Sequence, residues 1–150
     1  MAGVAAARPE RRDTAWRDRL IRCVRLWSGD DGQSHVQLGT ISMSQPGEAG
    51  PSVLSDLVAA ELISFEETPT TSALEWHTAP HRQFVITVGG RLDFVTRDGE
   101  VFRLDPQTIL LAEDTAGGGH RWSIVGTDPW QRVCVRLARD AVVPFTAKGG

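Results

Sequence analysis

Four side chains in this sequence have the chemistry of an acid–base or metal site. His77 and Gln83 lie in the stretch HTAPHRQFVITVGG, and Asp114 and His120 lie in AEDTAGGGH. Imidazole transfers protons near neutral pH and is the commonest metal ligand in proteins. The amide of Gln83 can hold a substrate oxygen or act as a weak metal ligand, and Asp114 can orient His120 or act as a base. We therefore interpret these four residues as candidate catalytic residues.

The first stretch is polar at its start and apolar from Phe84 onward. Side chains two residues apart in a strand share a face, so His77, His81 and Gln83 would point the same way in an unbroken strand. Pro80 is expected to interrupt the strand and to leave His81 exposed.

Two tryptophans, Trp76 and Trp122, flank the two candidate histidines in the sequence. We expect each indole to point away from the neighbouring histidine. Trp76 and Trp122 would then pack between strands or in a dimer interface rather than around a ligand.

Short strand-like runs separated by turn residues must position these side chains. LIRCVRLW and SHVQLGTISM flank the turn-forming SGDDGQ and predict an N-terminal hairpin. Strand signals follow one another from Ala73 onward, and Asp98-Gly99 predicts a two-residue type I′ hairpin turn. VLSDLVAA predicts a single helical turn. Many short strands at this spacing indicate an all-β sandwich or barrel.

The 150 residues are most simply divided into one domain and two tails. Residues 1–12 are interpreted as a disordered tail, followed by a single domain over residues 13–140. Residues 141–150 are expected to form a C-terminal tail that lies on the domain or extends from it.

Composition disfavours several classes of partner. The net charge of -3 gives no basic surplus for binding nucleic acid. No apolar run reaches the roughly 18 residues of a membrane span. Cys23 and Cys134 lie in apolar runs and are interpreted as buried thiols, which suits a reducing cytoplasm. We expect a cytoplasmic protein that binds a small molecule, with no nucleic-acid or membrane partner.

The region from His77 to His120 resembles the two motifs of the cupin superfamily of small double-stranded β-helix barrels. His77 matches the first histidine of the first motif, and Gly90 matches its closing glycine. Ala79 stands where that motif has its second histidine, and Gln83 stands where it has a glutamate.

The second cupin motif is matched through Pro106 and His120, with Gln107 and Thr108 in place of Gly-Asp. The segment Gly29–His35 is similar to one found in small, single-domain bacterial cupins. The resemblance covers nearly half of the chain. It implies an all-β cupin double-stranded β-helix, a jelly-roll-like barrel, formed as a homodimer.

The resemblance leaves three interpretations of the site open. His77, Gln83 and His120 are ligands of a divalent metal such as iron, zinc, nickel or manganese, or they form a metal-free acid–base set, or they are structural polar residues. Ala79 and Gln83 weaken the metal interpretation because they remove one ligand and one negative charge.

The leading hypothesis is an enzyme of the cupin type that transfers protons on a small organic substrate, in an isomerisation, cyclisation, epimerisation or elimination of specialised metabolism. The first alternative is a metal-dependent cupin such as a dioxygenase. The second alternative is a cupin that binds a ligand without catalysis.

Overall fold

The computed structural model describes residues 21–149, and β-strands are the only regular secondary structure in that range. The prediction of an all-β fold is therefore confirmed for these residues. The tail expected over residues 1–12 and the start of the domain expected over 13–140 lie outside the described residues. The thirteen strands in this range are β1 Ile21–Ser28, β2 Ser34–Ile41, β3 Met43–Pro46, β4 Val53–Ser55, β5 Ala60–Thr68, β6 Ala73–His77, β7 Gln83–Gly89, β8 Leu92–Thr96, β9 Val101–Leu104, β10 Thr108–Glu113, β11 His120–Ile124, β12 Trp130–Leu137 and β13 Phe145–Ala147.

The strands form two large sheets and a separate small hairpin. The larger sheet has the order β13-β2-β1-β10-β7-β12-β5, and the smaller has the order β6-β11-β8-β9. β3 and β4 pair only with each other, so the helical turn predicted in VLSDLVAA is wrong. Val53–Ser55 forms a strand there because its backbone groups pair with Met43–Pro46.

Apolar side chains from the two sheets pack against each other in the interior. Leu26 and Leu110 on the larger sheet belong to the same buried cluster as Phe94 and Leu104 on the smaller sheet. Alternating residues of each strand supply this core because successive side chains in a strand point to opposite faces. Full burial of one such side chain stabilises the fold by about 1.5–3 kcal/mol.

Strands β5 to β12 pair in a nested order. β5 pairs with β12, β6 with β11, β7 with β10, and β8 with β9, in every case antiparallel. The first four strands of this series therefore fold back on the last four like one long hairpin. Because successive pairs alternate between the two sheets, each turn of the chain crosses from one sheet to the other.

The sheets do not join into a closed barrel, and the barrel expected from the sequence is corrected to an arrangement of two facing sheets. Among residues 21–149 no ladder connects the larger sheet to the smaller one. β5 and β6 follow each other in the chain, but the turn after Thr68, with Pro69 and the positive φ of 67° at Thr71, sends them to different sheets. The gap between these two edge strands leaves the interior accessible.

The predicted N-terminal hairpin is confirmed, because β1 and β2 pair antiparallel from Ile21 with Ile41 to Ser28 with Ser34. The hairpin around Asp98-Gly99 is also present, but the predicted type I′ turn is wrong. Gly99 has a φ of 89°, whereas Asp98 keeps a negative φ. The Asp98 carboxylate accepts a hydrogen bond from the Thr96 hydroxyl, and the Gly99 N–H donates to the Thr96 carbonyl at 3.0 Å. This bonding favours a three-residue loop that ends in a left-handed glycine.

The C-terminal segment lies on the larger sheet. Phe145–Ala147 forms β13 along β2, and Ala141 is buried in a second apolar cluster on the outer face with Cys23 and Leu111. β5 is the opposite edge strand, with β12 as its single neighbour among the described strands, and it exposes Phe65 at 79%. An exposed apolar edge strand is a surface that proteins commonly cover, and the homodimer expected from the sequence stays a prediction. None of the described residues belongs to a helix long and apolar enough to cross a membrane.

Both cysteines are expected to resist alkylation in the folded protein. Burial raises the pKa of Cys23 to about 12 and that of Cys134 to about 11, so thiolate forms at pH 8 are on the order of one in 10³ or fewer. Incubation with iodoacetamide followed by intact mass measurement should show unmodified protein, and the same reaction in guanidinium should modify both thiols. Rapid double modification of the folded protein would contradict the packing described for both cysteines.

Candidate functional site

A cavity of about 510 Å³ lies between the two sheets. It is lined by inward-facing side chains from both sheets and by the segment that connects β6 to β7. The residues around it include Glu66, His77, Ala79, His81, Gln83, Phe94, His120, Trp122, Trp130, Arg132, Cys134 and Arg136. The size is typical of sites for small organic molecules.

His77 and His120 form a cross-strand pair on the smaller sheet. The two residues lie directly opposite each other in the antiparallel ladder of β6 and β11. Opposed residues of such a ladder point to the same face, and the two imidazole rings meet edge to face with centroids 4.4 Å apart. The structure therefore brings together two of the four candidate residues through strand pairing alone.

A β-bulge next to this pair determines where the tryptophans point. Leu74 is the partner of Trp122, so Glu75 and Trp76 together face the single residue Arg121. Trp76 points away from His77, as predicted, and Arg97 stacks over it at 4.4 Å. The prediction for Trp122 is wrong: it lies two residues from His120, so it shares the histidine's face and lines the cavity at 9% exposure.

Asp114 orients the His120 ring through a hydrogen bond to its Nδ1 atom. Its carboxylate is fully buried, and its Oδ2 accepts hydrogen bonds from His120 Nδ1 at 2.6 Å and from the Ser34 hydroxyl at 2.7 Å. A carboxylate can only accept here, so Nδ1 of His120 carries the proton and Nε2 is left as the free nitrogen. Phe94 packs against the same ring at 5.5 Å. Asp114 and Phe94 contact the His120 ring directly, and Ser34 holds the Asp114 carboxylate in place. Residues from different strands and loops therefore fix the orientation of His120.

His77 is oriented by its own strand. Its Nδ1 donates a hydrogen bond to the carbonyl oxygen of Glu75 at 2.6 Å, which leaves Nε2 as its free nitrogen as well. Burial lowers the pKa of His77 below its ordinary value, the Glu75 carbonyl opposes that shift, and the nearby His120 lowers the pKa further. His77 is therefore biased toward the neutral form, which can accept a proton.

Gln83 reaches the cavity from the other sheet. Residues 78–82 break the strand, so His77 and Gln83 belong to different sheets rather than to one strand face. The Ala79 N–H donates to the Asp114 carbonyl at 3.0 Å, which anchors the break. His81 is exposed at the cavity rim, as expected beside Pro80. His77, Gln83 and His120 therefore line one cavity, with Asp114 buried behind His120.

The glycines before His120 allow a close approach of two backbones. Gly119 has a φ of 72°, and a Cβ atom built on it would lie 2.2 Å from the carbonyl oxygen of His77. Gly118 N–H donates to the Gly32 carbonyl at 2.9 Å, which attaches this loop to the β1–β2 hairpin. The glycine run thus allows the chain to enter β11 close to the backbone of His77.

Sequence reasoning missed several residues of the site because their strands are distant in the chain. Ser34 lies 80 residues before Asp114, and the hydroxyl gives no motif of its own. Trp130, Arg132, Cys134 and Arg136 alternate along β12 and all face the cavity. This alternation could have indicated from the sequence that the four residues share one face of β12. The apolar residues between them, Val133 and Val135, instead suggest that the other face is the core.

The donor atoms fit a divalent metal poorly. His77 and His120 are the two imidazoles that meet in the cavity, since His81 is exposed at its rim, and the third candidate ligand is the neutral amide of Gln83. Ala79 has no ligand atom, and the Asp114 carboxylate is engaged with Ser34 and His120. No cluster of three histidine, cysteine or carboxylate side chains with the spacing of a metal site occurs within residues 21–149. The metal interpretation of His77, Gln83 and His120 stays a prediction.

Comparison with models of known protein families gives no match, and a search of curated proteins gives none.

Removal of the Ser34 hydroxyl should destabilise the protein. Ser34→Ala leaves the buried Asp114 carboxylate with one hydrogen bond fewer, which costs about 1–3 kcal/mol. Urea unfolding followed by tryptophan fluorescence measures the loss. Ser123→Ala, at an exposed position of β11, is the control and should change stability little; equal effects of the two substitutions would contradict the role of Ser34.

A side chain at Gly119 should disturb the histidine pair. Gly119→Ala combines an unfavourable positive φ, worth about 1–2 kcal/mol, with the clash against the His77 carbonyl. Gly99→Ala shares the positive φ but has open space around its Cβ, so it isolates the clash. We expect the Gly119 variant to unfold at a clearly lower urea concentration than the Gly99 variant, and indistinguishable midpoints would contradict the close approach.

Proposed function

We propose that the two facing sheets form a jelly roll of the cupin type. The nested pairing of β5–β8 with β12–β9 supports this assignment, because a jelly roll is a long antiparallel hairpin wrapped into two sheets. The resemblance of the His77 and His120 segments to cupin motifs supports it independently. In this arrangement both motifs contribute to the same cavity.

We also propose that the protein is an enzyme that transfers protons on a small organic substrate. The observation that carries this proposal is the pair of imidazoles, His77 and His120, with a buried carboxylate on the Nδ1 of one of them. The Nδ1 atom of each ring donates a hydrogen bond, and neither Nε2 atom has a hydrogen-bond partner among residues 21–149. A merely structural pair would satisfy its buried nitrogens within the protein.

The two histidines take different roles in this mechanism. His77, whose pKa is lowered by burial, is the base that removes a proton from the substrate. His120 returns a proton elsewhere on the substrate, and the Asp114 carboxylate stabilises the imidazolium form that this step requires. Gln83 donates a hydrogen bond to the substrate oxygen on which negative charge develops.

These two roles fit isomerisation, epimerisation, cyclisation or elimination. Each of these reactions removes a proton from one substrate position and delivers a proton to another atom, to the opposite face of the same carbon or to the leaving group. The position of the cavity between the two sheets and its apolar side chains favour such chemistry, because they limit the water around the charged intermediate.

Proton transfer can be tested without knowledge of the natural substrate. The protein is incubated in D₂O with a set of small ketones and carboxylic acids that have weakly acidic C–H bonds, and deuterium incorporation is followed by NMR. We expect exchange in at least one compound, and a loss of about 10²–10⁴-fold in His77→Asn and in His120→Asn. Asp114→Asn should lower the rate through the orientation of His120.

His35→Asn serves as the control, since His35 is paired with Asp31 outside the cavity. It should exchange at the parental rate. Folded His77→Asn and His120→Asn proteins that keep full exchange would contradict the proposal. Loss of exchange on treatment of the parent protein with a chelator would contradict the metal-free mechanism and favour the metal-dependent alternative.

A further inference from the structure

The cavity lining contains more positively charged than negatively charged side chains. Its charged lining consists of Glu66, Arg132 and Arg136, all of which face inward from the larger sheet. Glu66 pairs with Arg132 at 3.2 Å. Within residues 21–149, Arg136 has no carboxylate within ion-pair distance. One guanidinium in the cavity therefore lacks a counter-charge.

The side chain of Arg132 is held by contacts within the protein. Besides its ion pair, its guanidinium stacks over the Trp130 ring at 3.7 Å and donates to the Thr68 hydroxyl at 2.9 Å. Such a side chain is held in place by the fold and is not free to bind a ligand. Arg136, two alternate positions further along β12, has none of these contacts among the described residues.

Arg136 stands beside Gln83. The two residues are directly opposed in the ladder of β7 and β12, so their side chains share the inner face of the sheet. A planar guanidinium with five N–H donors next to an amide forms a donor set that suits a carboxylate. Gln83 also belongs to the end of the cavity where residues 78–82 connect it to His77.

Part of the cavity wall is aromatic, and aliphatic side chains such as Val85 and Leu110 complete its apolar surface. Trp122 and Trp130 meet with ring centroids 5.0 Å apart, and Phe94 packs on Trp130 at 6.2 Å. All three line the cavity. An apolar ring with a single acidic group would therefore match both the walls and the free guanidinium.

From this arrangement we propose that the cavity binds a small aromatic or similarly apolar carboxylate, with the carboxylate on Arg136 and Gln83 and the apolar part against Trp122 and Phe94. This rests on the cavity being the substrate site proposed above. It narrows the substrate to an organic acid and gives Arg136 the role of a specificity-determining residue.

Matched acids and amides test this proposal. Benzoate, phenylacetate and cinnamate are compared with benzamide, phenylacetamide and cinnamamide by NMR titration of the ¹⁵N-labelled protein. We expect at least one acid to bind at millimolar concentration or tighter, and about tenfold or more tighter than its amide. Tryptophan side-chain N–H signals should shift on binding.

Arg136→Gln should weaken binding of the acid by about tenfold or more and leave the amide unaffected. Arg136→Lys should restore part of the affinity, since it keeps the charge without the planar fork. Arg139→Gln removes the same charge from an exposed position and should have no effect.

Absence of binding by all three acids at about 10 mM, equal binding of acids and amides, or an unchanged affinity in Arg136→Gln would each overturn the proposal. The outcome is separable from that of the proton-transfer test. His120→Asn should still bind the acid while it loses deuterium exchange, so failure of acid binding with retained exchange on neutral ketones would refute only the carboxylate assignment.

Discussion

The buried carboxylate of Asp114 is the constraint on which the site depends. A fully buried charge costs several kcal/mol unless hydrogen bonds compensate it. Ser34 and His120 supply those bonds to one oxygen, whereas Asp114 Oδ1 has no hydrogen-bond partner among the described residues. The need to satisfy this carboxylate ties the β1–β2 hairpin, the end of β10 and the start of β11 together, and it sets which nitrogen of His120 faces the cavity.

Strand pairing brings the other polar side chains of the site to the cavity, and no local sequence motif is needed to place them. His77 is brought to His120 by the antiparallel register of β6 and β11, and Gln83 is brought to Arg136 by the register of β7 and β12. The acid–base pair therefore belongs to one sheet and the polar donors to the other. A ligand between the sheets would contact both sets, as expected for a site fixed by rigid strands.

Much of the fold could be predicted from the sequence because its signals are local. Turn residues and alternating apolar residues marked the β1–β2 hairpin and the strands after Ala73. The type I′ turn failed because the Asp98 side chain bonds to Thr96, and the helical turn failed because strand pairing outweighed local preference over Val53–Ser55. The face of Trp122 follows from simple parity. The alternation along β12 was the one sequence signal for Arg136, whereas its position beside Gln83 and the bond of Ser34 to Asp114 come from contacts between distant segments.

The central claim is that both histidines keep the proton on Nδ1 and present a free Nε2 to the cavity. Long-range ¹H–¹⁵N correlation spectra of the imidazole rings, assigned with His77→Asn and His120→Asn, report this tautomer directly at a pH where the rings are neutral. The account predicts a protonated Nδ1 and an unprotonated Nε2 for both residues. An unprotonated Nδ1 on His120 would contradict it, because the hydrogen bond to the Asp114 carboxylate would then be absent.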